Sequence, residues 1–229
     1  MKKFYWHNQV EKTWNEMAEG WSSRSKNMWE NGSRKDIIPF MKRIIPSGNV
    51  IDIGCGDGYG THLLKENGYD VLGVDLSEEM IALAREKKIH EDIPFQQGDI
   101  CSLPFQDNAF DGALIVNVIE WTEQPLQALH ELRRILKPGG VICIGILGPT
   151  AGPRRHSYHR LYGEKVICNM VMPWEWHQLC EENGFAYEDS MTVPKKGMKS
   201  EDVTRFPQEL QQALSFMAVS IFRKKDDYS

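Results

Sequence analysis

The sequence predicts an α/β fold built on a doubly wound, mostly parallel seven-stranded sheet, with a helical extension at its N-terminus. Two observations support this prediction. Near-continuous apolar runs alternate with helical patterns along the chain, which is typical of parallel strands that are buried on both faces. The first apolar run ends in a glycine-rich turn at Gly54–Gly60 and re-enters as a helix, as expected at the ligand-binding edge of such a sheet.

The individual elements follow from local patterns. Helices are predicted where apolar residues recur at helical spacing after a cap such as Ser77 or before a glycine such as Gly68, Gly139 or Gly184. The predicted strands are Val50–Ile53, Val71–Val74, Ile93–Gln97, Gly112–Val118, Val141–Leu147, Phe185–Thr192 and Phe216–Arg223. The predicted helices are Gly60–Asn67, Glu78–Lys88, Pro125–Leu136 and Pro173–Asn183.

The composition is that of an ordinary globular enzyme. The 229 residues are 41% hydrophobic, enough for a sizeable core, and their net charge of −5 argues against a chain built to hold phosphate backbones. Neither a signal peptide nor a membrane span is apparent, so we expect no membrane partner. The five cysteines form no C-x-x-C pair, which disfavours a zinc site or a disulfide framework and favours a reducing, cytoplasmic location.

The glycine spacing narrows the class of ligand. A dinucleotide fold needs G-x-G-x-x-G. In frames that start at Gly54, Gly56 or Gly58, the position of the third glycine is occupied by Tyr59, Thr61 or Leu63. A P-loop is excluded because no Lys-Ser or Lys-Thr closes the turn. Asp75 follows the turn by about twenty residues, at the end of the next predicted strand, where the hydroxyls of a ribose would lie. Asp52, at the strand tip, disfavours pyrophosphate and suits a ligand that carries an ammonium and a sulfonium.

These residues resemble class I S-adenosylmethionine-dependent methyltransferases, and more narrowly the small-molecule type whose first motif reads D-I-G-C-G-x-G, here Asp52–Gly58. Four further segments are similar to the later motifs of that family: Gly73–Ser77, Gln97–Ile100, Phe110–Val118 and Leu136–Gly140. The five motifs occur in the family's order, and the resemblance covers roughly residues 45–147. The resemblance implies a Rossmann-like methyltransferase fold whose last strand inserts antiparallel beside the sixth, with S-adenosyl-L-methionine as the cofactor.

The resemblance also implies roles for individual residues. Asp75 would bind the ribose and Leu76 would face the adenine, while Asp99 would accept a hydrogen bond from the adenine amino group beside the Ile100 backbone. Asn117, at the end of the fourth strand, would lie beside the methionine moiety. The full set of predicted cofactor-binding residues is Asp52, Gly54, Cys55, Gly56, Asp75, Leu76, Asp99, Ile100 and Asn117. Cys55 is interpreted as a small filler of the turn rather than a nucleophile, and no metal is expected.

Residues 1–45 lie outside the resemblance and are predicted to form a helical lid or extension on a cofactor-binding domain at residues 46–229. Four tryptophans recur there near helical spacing: Trp6, Trp14, Trp21 and Trp29. Two interpretations stay open, because such rings either pack a helix onto the domain or close over cofactor and substrate. Arg24 or Arg34 would reach the cofactor carboxylate, and the sequence does not choose between them.

The segment at about 148–172 follows the fifth predicted strand and overhangs the ligand-binding edge of the sheet. It is rich in cationic and aromatic side chains: Arg154, Arg155, His156, Tyr158, His159, Arg160 and Tyr162. It is either a solvated basic loop or a substrate pocket that favours an anionic or aromatic acceptor. His156 and His159 lack a third residue at metal-ligand spacing. Together with Glu120 they are the candidate catalytic residues, as general bases for an acceptor that must lose a proton.

These patterns predict an enzyme that transfers a methyl group from S-adenosylmethionine to a small-molecule acceptor by in-line displacement. The alternatives are an RNA or protein methyltransferase and a non-catalytic S-adenosylmethionine-binding regulator. The segment Asn117–Glu120 reads N-V-I-E rather than the N/D-P-P-Y that holds a flipped adenine, and no long basic face is apparent, so a nucleic-acid partner is disfavoured. Intact cofactor motifs disfavour the regulator. The acceptor and the oligomeric state are not indicated.

Overall fold

The computed structural model describes residues 4–198 and 200–226, whose seven strands form one sheet. The helices are α1 (Trp6–Glu30), α2 (Ile37–Lys42), α3 (Tyr59–Glu66), α4 (Glu78–Glu86), α5 (Pro125–Ile135), α6 (Pro173–Glu182), α7 (Ser200–Thr204) and α8 (Gln208–Leu214). The strands are β1 (Asn49–Ile53), β2 (Asp70–Asp75), β3 (Phe95–Gln97), β4 (Phe110–Val116), β5 (Leu136–Leu147), β6 (Phe185–Pro194) and β7 (Ser215–Lys224). Short 3-10 segments cover Lys88–His90, Ile119–Trp121 and Gly152–Tyr162.

The strand order is β3-β2-β1-β4-β5-β7-β6. The first five strands pair in parallel, and β7 runs antiparallel to both β5 and β6. This confirms the doubly wound, mostly parallel sheet, including the antiparallel last strand. The order reverses between β1 and β4, and a crevice opens beyond the carboxyl ends of strands at such a reversal.

The core lies on both faces of the sheet, because successive strand residues point to opposite sides. Val50 packs in a cluster with Met41 of α2 and Leu64 of α3, whereas its neighbour Ile51 packs in a second cluster with Leu132 of α5. All five side chains are fully buried. The two-sided burial explains why the strands read as continuous apolar runs rather than as alternating patterns.

Several element boundaries differ from the sequence prediction. β4 ends at Val116, because Asn117 adopts a left-handed backbone with φ +59° that no regular strand contains. β3 begins at Phe95 rather than Ile93, because the N–H of Ile93 donates back to the His90 carbonyl and belongs to the preceding turn. The sequence patterns do not predict α7 and α8, which lie between β6 and β7.

The N-terminal segment forms one long helix, α1, followed by the short helix α2. α1 spans 25 residues and lies against α3 and α4. It buries only Val10, Ala18, Ser25 and Trp29, since most of its remaining side chains are polar or face a cavity. Neither α1 nor any other helix in the described ranges has the length and apolarity needed to cross a membrane.

Candidate cofactor and acceptor cavity

A cavity of about 680 Å³ lies at the carboxyl ends of the central strands, where the strand order reverses. Its volume is within the range of about 300–1,000 Å³ that is typical of small-molecule sites. The floor comes from the turns that follow the strands β1 to β5, and the roof comes from α1. Segments that are distant in the sequence therefore meet around one space.

The glycine-rich turn after β1 brings bare backbone to the cavity wall. Gly54, Gly56 and Gly58 have φ values of +73°, +56° and +80°, a left-handed region that glycine adopts without steric cost. A Cβ at Gly56 would lie 3.1 Å from the indole Nε1 of Trp21 in the roof. Glycine at this position therefore lets the roof pack directly on the turn, and the backbone of Gly54 and Gly56 lines the cavity.

Asp75, at the end of β2, is fixed by backbone hydrogen bonds. The N–H of Gly56 donates to its Oδ2 at 2.8 Å and the N–H of Ser77 donates to its Oδ1 at 2.9 Å. Burial raises the pKa of Asp75, and these hydrogen bonds act in the opposite direction. The carboxylate lines the cavity beside Leu76, and its free lone pairs can accept hydrogen bonds from a ligand.

Asp99 and Ile100 line the same end of the cavity. The N–H of Cys101 donates to Asp99 Oδ1 at 3.0 Å, which holds the carboxylate in a turn. His7 of α1 lies 3.2 Å from Asp99 Oδ2, so the roof reaches this carboxylate directly. The side chain of Ile100 is buried, which leaves its backbone as the part available to a flat ring.

Asn117 and Arg34 meet at the opposite end of the cavity. Arg34 Nη2 donates to Asn117 Oδ1 at 3.3 Å, and both residues line the wall. The guanidinium is buried and lies over the rings of Trp21 and Trp29, at 4.7 and 5.4 Å from their centroids. Burial lowers the pKa of Arg34 to about 10. Arg24 also lines the cavity, but its Nε donates to the Gly20 carbonyl within α1.

Asp52 and Cys55 lie behind the wall rather than on it. Thr61 Oγ1 donates to Asp52 Oδ2 at 2.7 Å, and burial raises the pKa of this carboxyl to about 7. Cys55 is buried against β2, where a Cβ at Gly73 would lie 3.1 Å from its Sγ. Burial raises the pKa of the thiol well above its usual range. Both side chains support the shape of the turn from behind.

The four N-terminal tryptophans occupy two different environments. Trp6, Trp14 and Trp21 line the cavity, whereas Trp29 is buried and its ring covers Gly60 of α3. Trp14 stands perpendicular to Trp21 and to Trp121, with centroids 5.5 and 5.4 Å away. The indole of Trp6 donates to the Trp121 carbonyl at 2.7 Å. One helix therefore combines a core anchor with an aromatic roof.

Polar contacts hold this roof on the domain. Asn15 Oδ1 accepts from the Ser77 hydroxyl, and Ser22 donates to Asp57 Oδ2 at 3.0 Å. Asp57 is buried in the glycine turn and forms an ion pair with Lys87. Asp57 was not predicted as a site residue. Its only signal was a carboxylate within a glycine-rich turn, which matches many solvated turn residues.

The three candidate catalytic residues separate in the structure. His156 lines the cavity, with its ring 6.1 Å from that of Trp121. His159 lies farther along the same 3-10 segment, is exposed, and pairs with Glu164 at 3.4 Å. Glu120 is fully buried behind the wall, where it accepts a hydrogen bond from the Leu147 N–H, and burial raises its pKa.

The segment after β5 is anchored by a buried arginine. Arg154 donates through Nε to the Gly148 carbonyl at 3.0 Å and through Nη2 to the Val171 carbonyl at 2.6 Å. This tie turns the first part of the segment inward, so that Gly152 and Pro153 line the cavity. Within the described ranges no group of three or more His, Cys, Asp or Glu side chains could hold a metal ion.

Several apolar residues of the wall were not anticipated from the sequence. Met17, Met28, Met80, Leu147 and Phe216 line the cavity. Neither the motifs nor the apolar patterns of the sequence singled them out. Only the fold reveals that these side chains face a space, since periodicity cannot distinguish a cavity wall from a packed interface.

The sequence of this chain is similar to those of known methyltransferases. Residues 51–144 match the family model described as a methyltransferase domain. The malonyl-[acyl-carrier protein] O-methyltransferase of Pectobacterium atrosepticum is 31% identical over 64% of this chain and 61% of its own length. The demethylmenaquinone methyltransferase of Renibacterium salmoninarum is 34% identical over 50% of this chain and 48% of its own length.

A solved structure shares the fold over nearly the whole chain. An S-adenosylmethionine-dependent methyltransferase of Thermotoga maritima superposes with a TM-score of 0.67 at 23% identity, over 93% of this chain and 99% of its own. The chain spans only 24% to 61% of the length of three curated relatives that it matches.

Proposed function

We propose that this chain, which belongs to the class I S-adenosylmethionine-dependent methyltransferases, transfers a methyl group from S-adenosylmethionine to a small-molecule acceptor. The observation that carries the proposal is the arrangement of Asp75, the bare turn at Gly54–Gly56 and Asp99 around one cavity under an aromatic roof. The first three sequence motifs follow β1, β2 and β3, and the structure brings them together at one edge of the sheet.

The residues present fit this cofactor. Asp75 would accept hydrogen bonds from the two ribose hydroxyls, and Asp99 with the Ile100 backbone would bind the adenine edge. Glycine at position 56 lets the Trp21 ring lie close on the turn, and the backbone of Gly54 and Gly56 borders the cavity. At the far end, Arg34 offers a buried cation for the carboxylate of the methionine moiety. We therefore prefer Arg34 to Arg24 for this role.

The protein's contribution to the reaction is alignment and exclusion of water. S-adenosylmethionine supplies an electrophilic methyl group on a sulfonium, which reacts by in-line displacement. The cavity walls must hold the acceptor atom about 3–3.5 Å from its target, because such positioning supplies much of the rate. Trp14, Trp21 and Trp121 form a continuous cover that keeps water out. His156 lines the cavity and is placed to act as the general base for an acceptor that must lose a proton.

The lining of the cavity favours an acceptor with an apolar body. The carboxylates Asp75 and Asp99 belong to the predicted adenosine end. Beside Arg34, which the methionine carboxylate would neutralise, the wall carries the apolar side chains of Leu147 and Phe216. The names of two relatives, a demethylmenaquinone methyltransferase and a malonyl-[acyl-carrier protein] O-methyltransferase, agree with acceptors other than nucleic acid.

The proposal is tested by following a labelled methyl group. The protein and methyl-labelled S-adenosylmethionine are incubated in three separate reactions with a metabolite extract, with total RNA or with total protein. We expect label in the metabolite fraction with the wild type and none with Asp75→Asn. The matched variant Asp70→Asn, at the exposed start of the same strand, should behave as the wild type. Label in RNA or protein would favour an RNA or protein methyltransferase. No label in any fraction would favour a non-catalytic regulator.

A further inference from the structure

A cluster of apolar side chains projects into solvent outside the cavity. Tyr158, Leu161 and Tyr162 are 53%, 67% and 68% exposed, and all belong to the 3-10 segment Gly152–Tyr162. The other large apolar side chains that are exposed in the described ranges come singly from separate elements: Tyr5, Ile89, Leu126 and Leu210. Scattered exposed apolar residues are normal, whereas a cluster of them marks an interaction surface.

Cations surround this cluster. Arg155, Arg160 and Lys165 are exposed, and we call them, together with Tyr158, Leu161 and Tyr162, the outer patch. Between residues 155 and 165 the one carboxylate is Glu164, which pairs with His159 at 3.4 Å. The outer patch is therefore locally positive, although the whole chain has a net charge of −5. Its charge complements a negatively charged surface.

The outer patch adjoins the wall of the cavity. The same 3-10 segment begins with Gly152, Pro153 and His156, which line the cavity. A 3-10 helix rises about 2 Å per residue, so Tyr158 and Leu161 lie only one to two turns farther out. Lys165 Nζ lies 5.3 Å from the ring centroid of Phe4, which precedes the roof helix α1. The patch thus borders both the roof and the acceptor wall.

We propose that the outer patch binds an anionic lipid surface. Tyrosine rings are amphipathic and favour the boundary between headgroups and acyl chains, and a leucine side chain can insert just below it. Arginine and lysine side chains beside them attract anionic headgroups. The expectation of no membrane partner rested on the lack of a spanning segment. Binding at a bilayer surface needs only exposed side chains.

Because the outer patch borders the cavity, binding to lipid there would bring the cavity close to acceptors in the bilayer. An apolar acceptor dissolved in the bilayer would meet the cavity wall without first crossing water. Leu147, Phe216 and Trp121 then offer it an apolar interior. This route rests on the proposed function, whereas the binding of lipid does not. The two claims are therefore tested separately.

The test is co-sedimentation of the full chain with phosphatidylcholine vesicles that either contain or lack phosphatidylglycerol. We expect binding to the anionic vesicles that weakens at high salt. Leu161→Ser combined with Tyr162→Ser should weaken it at least about tenfold, because insertion of apolar side chains is lost. Arg155→Gln and Lys165→Gln should each weaken it about fivefold.

Matched variants elsewhere serve as controls. Ile89→Ser removes an apolar side chain that is also exposed, and Lys35→Gln removes an exposed cation remote in sequence from the patch. Both should bind vesicles as the wild type does. Each variant is also titrated with S-adenosylhomocysteine, so that loss of the cofactor site is recognised independently.

Two results would overturn the proposal. One is an absence of binding to anionic vesicles by a protein that still binds S-adenosylhomocysteine. The other is binding that the control variants weaken as much as the patch variants do. In the first case, binding of a purified, acidic acyl carrier protein through the outer patch would show that the patch is a protein interface.

Discussion

Replacement of Gly60 by alanine tests how closely the N-terminal helix is packed on the domain. Gly60 is the second residue of α3, and a Cβ there would lie 2.4 Å from Cζ2 of Trp29. Carbon atoms in contact are normally about 3.5–4.0 Å apart, so the indole would have to retreat by about 1 Å. Trp29 is only 6% exposed and has little room to do so. The substitution therefore overpacks the contact between α1 and α3.

The expected magnitude is a balance of two effects. Overpacking of a core contact costs about 1–3 kcal/mol, whereas alanine improves on glycine by at most about 1 kcal/mol in a helix. We expect Gly60→Ala to lower the free energy of unfolding by about 1 kcal/mol. For a chain of this length, each kcal/mol lowers the melting temperature by about 2–4 °C.

The measurement is thermal and urea denaturation of Gly60→Ala beside a matched glycine. Gly20 lies within α1, and a Cβ there would meet nothing within 4 Å. Gly20→Ala should therefore stabilise the protein by about 0.5–1 kcal/mol. Trp29→Leu should relieve part of the defect of Gly60→Ala, so the two changes will not add. If Gly60→Ala is as stable as Gly20→Ala, Trp29 does not pack on α3 as described.

Three further outcomes are expected. Burial raises the folded-state pKa of Asp52 to about 7, so stability should fall as pH rises from about 4 to about 7. Because burial also raises the pKa of Asp75 and Glu120, Asp52→Asn should make that fall smaller without abolishing it, and identical melting profiles at about pH 5 and about pH 8 would contradict the reasoning. Arg34→Met should weaken S-adenosylmethionine binding about 10–100-fold by calorimetry, because a charged hydrogen bond is lost; unchanged affinity would remove Arg34 from the site. Glu120→Ala should lower the free energy of unfolding by about 1–3 kcal/mol, because the Leu147 N–H loses its acceptor, whereas Glu120→Gln should cost less; equal losses in urea denaturation would contradict this.

The sheet could be predicted from the sequence because its strands are buried on both faces. Val50–Ile53 and Val141–Leu147 read as continuous apolar runs, and both lie within strands of the structure. The glycine turn could also be predicted, because the left-handed backbone at Gly54 and Gly56 favours glycine over other residue types. These constraints act within a few residues, so a single sequence carries them.

Other features depend on contacts between distant residues. Burial of Arg34 requires Trp21, Trp29 and Asn117 to meet around it, and no local pattern distinguishes it from Arg24. His156 and His159 are equivalent by composition. They separate because the 3-10 segment leads away from the cavity, which places His159 in solvent. The assignment of catalytic roles therefore remains a prediction.

The central claim is that this cavity binds S-adenosylmethionine through Asp75. The most direct measurement is a calorimetric titration of the wild type, Asp75→Ala and the control Asp70→Ala with S-adenosylmethionine and with NAD. We predict micromolar binding of S-adenosylmethionine by the wild type and by Asp70→Ala, its loss in Asp75→Ala, and no binding of NAD. Binding of NAD instead, or S-adenosylmethionine binding that survives Asp75→Ala, would contradict the account.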